Sequence, residues 1–221
     1  MNVLDKIRGL LGMPFFYNSL QNAIGIPHQR EFLVRQFVRP RKDDQILDIG
    51  CGTADLLVHL GPFEVSYTGI EPNEAYVRYA RETWGSQGRY QFQIAAIGTG
   101  GPLPVAPHQY DIVLAFGVMH HLSDEEVSEL VKLAATALKA GGRLVTMDPC
   151  RLADMNLVEK FMVKYDRGCY IRDAAAYAAL LKTAFHSATP SVKAMNYLPY
   201  RAIVFECEMP LNGVKQAVSA S

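Results

Sequence analysis

The spacing of apolar residues changes several times along the chain, and each change marks an element. Ile46, Leu47 and Ile49 suit a buried strand; the run breaks at Gly50 and Gly52, then resumes as Leu56, Leu57 and Leu60 with helical spacing. A strand, a tight glycine turn and a helix start are predicted there. Upstream, helices are expected from Phe15 to Ile24, ended by Gly25 and Pro27, and from His28 to Val38, stopped by Pro40. Val65 to Ile70 reads as a second strand, closed by Glu71-Pro72-Asn73 before a helix to Trp84. Tyr90 to Ile97 reads as a third, followed by a glycine- and proline-rich loop. Tyr110 to Phe116 is almost continuously apolar, as a strand covered on both faces should be.

Ser123, with Glu126 three residues on, has the spacing of a capping box and starts a helix through Leu138. That helix stops before Gly141-Gly142, and Arg143 to Met147 gives a fifth strand closing at Asp148-Pro149. A helix follows from Asp154 to Val163, then a polar loop from Lys164 to Arg172, with Asp173 capping a helix to Phe185. Ser191 to Leu198 and Arg201 to Met209 make two strands joined through Pro199-Tyr200, and the tail from Leu211 is polar. The expected organisation is one domain: a helical lid over 1–44, a core over 45–150, an insertion over 151–190, a closing hairpin over 191–209 and a tail over 210–221.

Composition narrows the function. The 221 residues are 49% apolar, enough for one sizeable α/β core. Net charge is zero and the basic residues are scattered, so no nucleic-acid footprint is present and a small-molecule substrate is favoured. Cys51, Cys150, Cys169 and Cys207 lie far apart with no Cys-x-x-Cys pair, indicating neither a metal site nor a disulfide framework. A reducing cytoplasm, no membrane span and a monomer or homodimer are expected.

The chemistry starts at the glycine turn. Gly50 and Gly52 let a ligand approach the backbone, but Asp55 stands where the third glycine of a dinucleotide fingerprint would pack, so a pyrophosphate would meet a carboxylate. Asp48 adds a second negative charge, and the crevice therefore suits a positively charged ligand. These residues resemble the first motif of the class I S-adenosylmethionine-dependent methyltransferases, Asp/Glu-x-Gly-x-Gly-x-Gly, seen here as Asp48, Gly50, Gly52 and, in place of the last glycine, Ala54. The stretch from Tyr110 to Asp148 is similar to the family's fourth and fifth strands, with Ala140 where a proline is usual.

The resemblance implies a doubly wound, mostly parallel seven-stranded sheet with an antiparallel last strand, helices on both faces, and S-adenosyl-L-methionine as cofactor, leaving S-adenosyl-L-homocysteine. It implies that Asp48, Gly50, Cys51 and Gly52 form the cofactor turn. Glu71, nineteen residues past Gly52, accepts the ribose hydroxyls beside Pro72, or alternatively only caps the next helix. Adenine falls to Ala96 and Ile97, where relatives often have an acid, with Phe116 at the tip of the fourth strand. Tyr17 is expected over the cofactor and Gln21 on the same helix face toward substrate, unless the segment merely packs on the core.

His120 and His121 follow the fourth strand, where the methyl acceptor sits in the family. His120 is the first candidate base, His121 the second and Asp148 the third, because imidazole titrates near neutrality. Asp166, Arg167, Tyr170 and Arg172, with Tyr200, are candidate substrate contacts; the competing reading is that they are salt bridges tying the insertion to the lid. The expected function is methyl transfer to a small acceptor at oxygen, nitrogen or activated carbon, in secondary-metabolite or polysaccharide biosynthesis. Its rivals are an S-adenosylmethionine-binding protein that transfers no methyl, a nicotinamide oxidoreductase, and a transfer-RNA or protein methyltransferase.

Overall fold

A computed structural model describes residues 26–99, 103–164, 166, 168–194 and 201–210. Seven strands form one sheet in the order β3-β2-β1-β4-β5-β7-β6. They are β1 Gln45–Ile49, β2 Ser66–Glu71, β3 Tyr90–Ile94, β4 Tyr110–Phe116, β5 Leu138–Pro149, β6 Phe185–Ala194 and β7 Arg201–Pro210. The first five run parallel, and β7 inserts antiparallel between β5 and β6. The helices are α1 Ile26–Leu33, α2 Leu57–Leu60, α3 Glu74–Trp84, α4 Asp124–Ala137, α5 Leu157–Lys164 and α6 Ala174–Leu181.

Strand periodicity divides the core in two. Leu47, Val113, Ala115 and Leu144 point to the face covered by α4 and α6, through Val127, Leu130, Val131, Tyr177 and Leu181. Ile46, Ile112, Leu114 and Val145 point the other way, against residues of α1, α2 and α3. This doubly wound arrangement makes the central strands apolar on both faces and leaves ligand space beyond their carboxyl ends.

Several boundaries differ from the sequence reading. The α4 helix has its capping box, Ser123 Oγ accepting from Glu126 N and the Glu126 carboxylate accepting from Ser123 N. It ends one residue early, and β5 begins at Leu138, with a register shift between Tyr110 and Ile112 and Gly141 at φ 79° absorbing the expected turn inside the strand. The α5 helix starts at Leu157 rather than Asp154, because Asn156 and Glu159 cap each other reciprocally. The last helix stops at Leu181, and Phe185 already belongs to β6. Pro190 hid that strand; it is tolerated because β6 is an edge that pairs only with β7. The expected connection through Pro199-Tyr200 lies outside the described residues.

The expected lid divides as well. Its first helix, with Tyr17 and Gln21, lies outside the described residues. The second is found as α1 continued by a π-helical turn, Val34–Val38, and it buries Leu33, Val34, Phe37 and Val38 in the core. This half packs as a core helix.

Candidate active site

The glycine turn is clamped to the neighbouring strand. Gly50 N and Cys51 N both donate to Ile70 O, at 2.8 and 3.2 Å, so the turn lies against the end of β2. Glu71 then receives Gly52 N on Oε2 at 3.1 Å and Asn73 N on Oε1 at 2.9 Å. Gly52 has φ 56° and open space where a side chain would start. At Gly50, φ 74°, a Cβ would stand 2.6 Å from Val118 Cγ2, so the turn also needs glycine to pass under Val118. Ala54, the departure from the motif, is buried at φ 58°, a left-handed conformation that strains any residue with a Cβ.

Asp48 lies beneath this turn, 5% exposed, and accepts a hydrogen bond from Tyr67 Oη at 2.6 Å. Burial pushes its carboxyl up to about 7, with the Tyr67 bond opposing and the Glu71 charge adding to the rise. Burial also raises Glu71, against the two N–H groups that favour its charged form. The Glu71 charge therefore reaches Asp48 across one turn, and burial works against the charged form of both. Cys51 presses on Gly69, where an added Cβ would lie 2.6 Å from Sγ, and burial raises its thiol well above the usual range, so it stays neutral. Sequence reading passed over Tyr67; the alternation of β2 places Tyr67, Gly69 and Glu71 on one face and was the available signal. Asp55 accepts from Thr53 Oγ1 at 2.9 Å and pairs with Arg30 at 3.4 Å, which tempers the repulsion expected of it.

The other strand tips complete the crevice. Ala96 and Ile97 follow β3 and are partly buried, Ile97 against the α4 side. Pro72 is exposed after β2, and Phe116 ends β4, packed on the opposite core. Asp148 lies near the end of β5, 1% exposed.

A 3-10 turn, Met119–His121, carries the histidines. His120 is 7% exposed, and its Nδ1 lies 2.7 Å from Asp148 Oδ1, which also accepts from His120 N at 3.1 Å. Burial raises Asp148 while the His120 contacts oppose the rise. Its other oxygen, Oδ2, is buried and has no hydrogen-bond partner among the described residues. The opposite ring nitrogen, Nε2, faces Asp166 Oδ1 at 3.6 Å. Asp148 thus holds His120 through Oδ1 at both the ring and the backbone N–H. His121 is exposed, its ring centroid 3.9 Å from that of His120, and the bond to Asp148 belongs to His120.

The segment after α5 closes over this turn. Tyr170 N donates to His120 O at 2.9 Å, and Gly168 packs so tightly that a Cβ there would lie 2.1 Å from His120 Cδ2. Arg172 corrects the expectation of a substrate contact. Buried to 8% exposure, it donates to Asp124 from Nε and Nη2, and to the carbonyls of Met119, Leu122 and Tyr170. Its donors are consumed in tying the histidine turn and the start of α4 to the insertion, and not in tying the insertion to the lid. Asp166 and the half-exposed Tyr170 remain on the outer side, and Arg167 and Tyr200 lie outside the described residues.

Among the described residues no group of three or more His, Cys, Asp or Glu is placed to hold a metal ion, and no helix is long and apolar enough to cross a membrane. Residues 47–144 match the family described as methyltransferase domain. An uncharacterised methyltransferase of Geobacillus sp. (strain WCH70) is 30% identical over 103 residues, 47% of this chain and 46% of that protein. An O-methyltransferase of Penicillium expansum is 31% identical over 130 residues, 57% of this chain and 45% of its own length. The chain spans about half the length of these curated relatives. Among solved structures, the geranyl diphosphate C-methyltransferase of Streptomyces coelicolor A3(2), complexed with Mg2+, geranyl diphosphate and S-adenosyl-L-homocysteine, superposes with TM-score 0.63 at 14% identity, covering 82% of this chain and 78% of that one. The strand order and the superposition agree on a Rossmann-like fold, and over residues 47–144 the chain is similar to the methyltransferase domain family.

Proposed function

We propose that this chain moves the methyl group of S-adenosylmethionine to a small-molecule acceptor at oxygen, nitrogen or activated carbon, with His120 as the base that takes the acceptor's proton. The observation that carries this reading is the buried His120–Asp148 pair, set where β4 and β5 end beside the glycine turn.

The cofactor supplies an electrophilic methyl on a sulfonium, so the protein's tasks are alignment and exclusion of water. The residues suit it. Each Glu71 oxygen takes one backbone N–H and keeps capacity for a ribose hydroxyl, and Gly52 leaves room beside it. Glu71, and Asp48 once it ionises above about 7, favour the cationic sulfonium and ammonium, while Ala96, Ile97 and Phe116 offer apolar contact to the base. Cys51 and Pro72 flank the turn.

A neutral imidazole that donates from Nδ1 to Asp148 keeps the Nε2 lone pair for the acceptor. As the acceptor takes the methyl and the carbon–sulfur bond breaks to leave a neutral thioether, Nε2 would take the acceptor's proton, and the imidazolium would lie between the carboxylates of Asp148 and Asp166.

Calorimetry with S-adenosylhomocysteine, followed by a screen for labelled methyl transfer into extract fractions, tests the reading. His120→Ala and Asp148→Asn should lower turnover by about 10²–10⁴ while leaving cofactor affinity near wild type. Cofactor binding with no labelled product from any fraction would make the chain an S-adenosylmethionine-binding protein that transfers no methyl.

A further inference from the structure

Next to the His120 turn is a cleft of about 640 Å³, walled by the start of the insertion, by α5 and by Asp166, Gly168, Cys169 and Ile171. Its apolar wall includes Leu152, Met155 and Val163, and three cationic side chains, Arg151, Lys160 and Lys164, also line it. Lys160 and Lys164 stand one helical turn apart and so share a face of α5. Asp166 is the sole carboxylate among the described residues that line the cleft, against three cationic side chains. Of the nearby acids, Glu159 is turned inward onto Arg201 at 2.9 Å, and Asp154 also bonds Arg201 at 2.9 Å.

The cleft abuts the chemistry. Asp166 lines it and is the residue whose Oδ1 lies 3.6 Å from His120 Nε2. Gly168 lines it too and rests directly on the His120 ring.

We infer that this cleft is the acceptor subsite and that it selects acceptors with an apolar body carrying a carboxylate, sulfonate or phosphate group. The apolar wall receives the body, and Arg151, Lys160 and Lys164 receive the anion, which leaves the reacting group at the Asp166 end beside His120. The inference rests on the methyltransferase reading for its chemistry, but the binding it describes can be measured separately.

Fluorescence titration with 1-anilinonaphthalene-8-sulfonate and with neutral N-phenyl-1-naphthylamine compares one aromatic body with and without an anion. The sulfonate should bind at least about tenfold more tightly, with the preference shrinking as salt is raised. In Lys160→Gln/Lys164→Gln, both exposed positions, the sulfonate should weaken by about tenfold and the neutral probe should hardly change. Equal affinities for the two probes, or an undiminished sulfonate preference in the double variant, would overturn the inference. S-adenosylhomocysteine calorimetry on the same samples separates the readings: cofactor binding without anion preference sinks the acceptor class alone, whereas anion preference without cofactor binding sinks the methyltransferase reading and leaves an anion site.

Discussion

Glu71→Gln separates a cofactor contact from a structural clip, because the side chain serves both the glycine turn and, on our reading, the ribose. In the wild type each carboxylate oxygen accepts one backbone N–H, from Gly52 at 3.1 Å and from Asn73 at 2.9 Å. The amide nitrogen of glutamine cannot accept, so one N–H loses its partner, and any ribose hydroxyl on that same atom loses its acceptor as well. A hydrogen bond to a charged group contributes about 1.5–3 kcal/mol, so losing one ribose bond raises the dissociation constant for S-adenosylhomocysteine by about 10- to 150-fold. The orphaned N–H separately costs the ligand-free fold about 1–3 kcal/mol. Calorimetry at saturating ligand reads the first effect, and chemical denaturation of the ligand-free protein reads the second. A variant that loses stability but binds the cofactor within about threefold of wild type would refute the ribose role and leave Glu71 as a clip for the turn.

Three further outcomes follow from the same geometry. Gly168→Ala must displace the insertion or the His120 ring, since the new methyl would lie 2.1 Å from Cδ2; turnover should fall by about 10²-fold with cofactor affinity unchanged, and an unaffected turnover would show that the base tolerates the shift. Asp48 is held protonated by burial up to about 7, so the native chain keeps a proton that the unfolded chain has lost. This contribution is complete below about pH 4 and is lost as pH rises through 7, at about 1.4 kcal/mol per pH unit, so the stability of Asp48→Asn relative to wild type should grow from pH 5 to 7 and level off above it. A difference that stays flat with pH, or grows toward acid, would contradict that assignment. Ala54→Gly should change stability by less than about 1 kcal/mol, because relief of the left-handed strain offsets the lost methyl burial and added chain entropy, whereas Ala54→Val should cost more than about 2 kcal/mol by denaturant titration.

The sheet was legible because its central strands are apolar on both faces and its turns carry glycine, so Ile46 to Gly52 and Tyr110 to Phe116 announce themselves. What failed were signals that depend on neighbours. Pro190 reads as a break until β6 is known to be an edge, and Gly141-Gly142 reads as a turn until β4 is seen to impose a bulge. At the candidate site, the positions of His120 after β4 and Asp148 near the end of β5 could be read from the sequence, but their 2.7 Å contact could not. Arg172 was misread for the same reason. An arginine in a polar loop looks available, and only the carbonyls of Met119, Leu122 and Tyr170 reveal that it is spent. The cationic cleft gathers Arg151 with two lysines of α5; the four-residue spacing of Lys160 and Lys164 was visible, but its proximity to His120 was not.

The backbone link from Tyr170 to His120, together with Gly168 lying flush on the imidazole, makes one short segment serve two masters. If His120 is the base we propose, grafting a foreign loop here to broaden the range of acceptors would also retune proton removal, and diversification of this scaffold would revise specificity and reactivity in a single stroke.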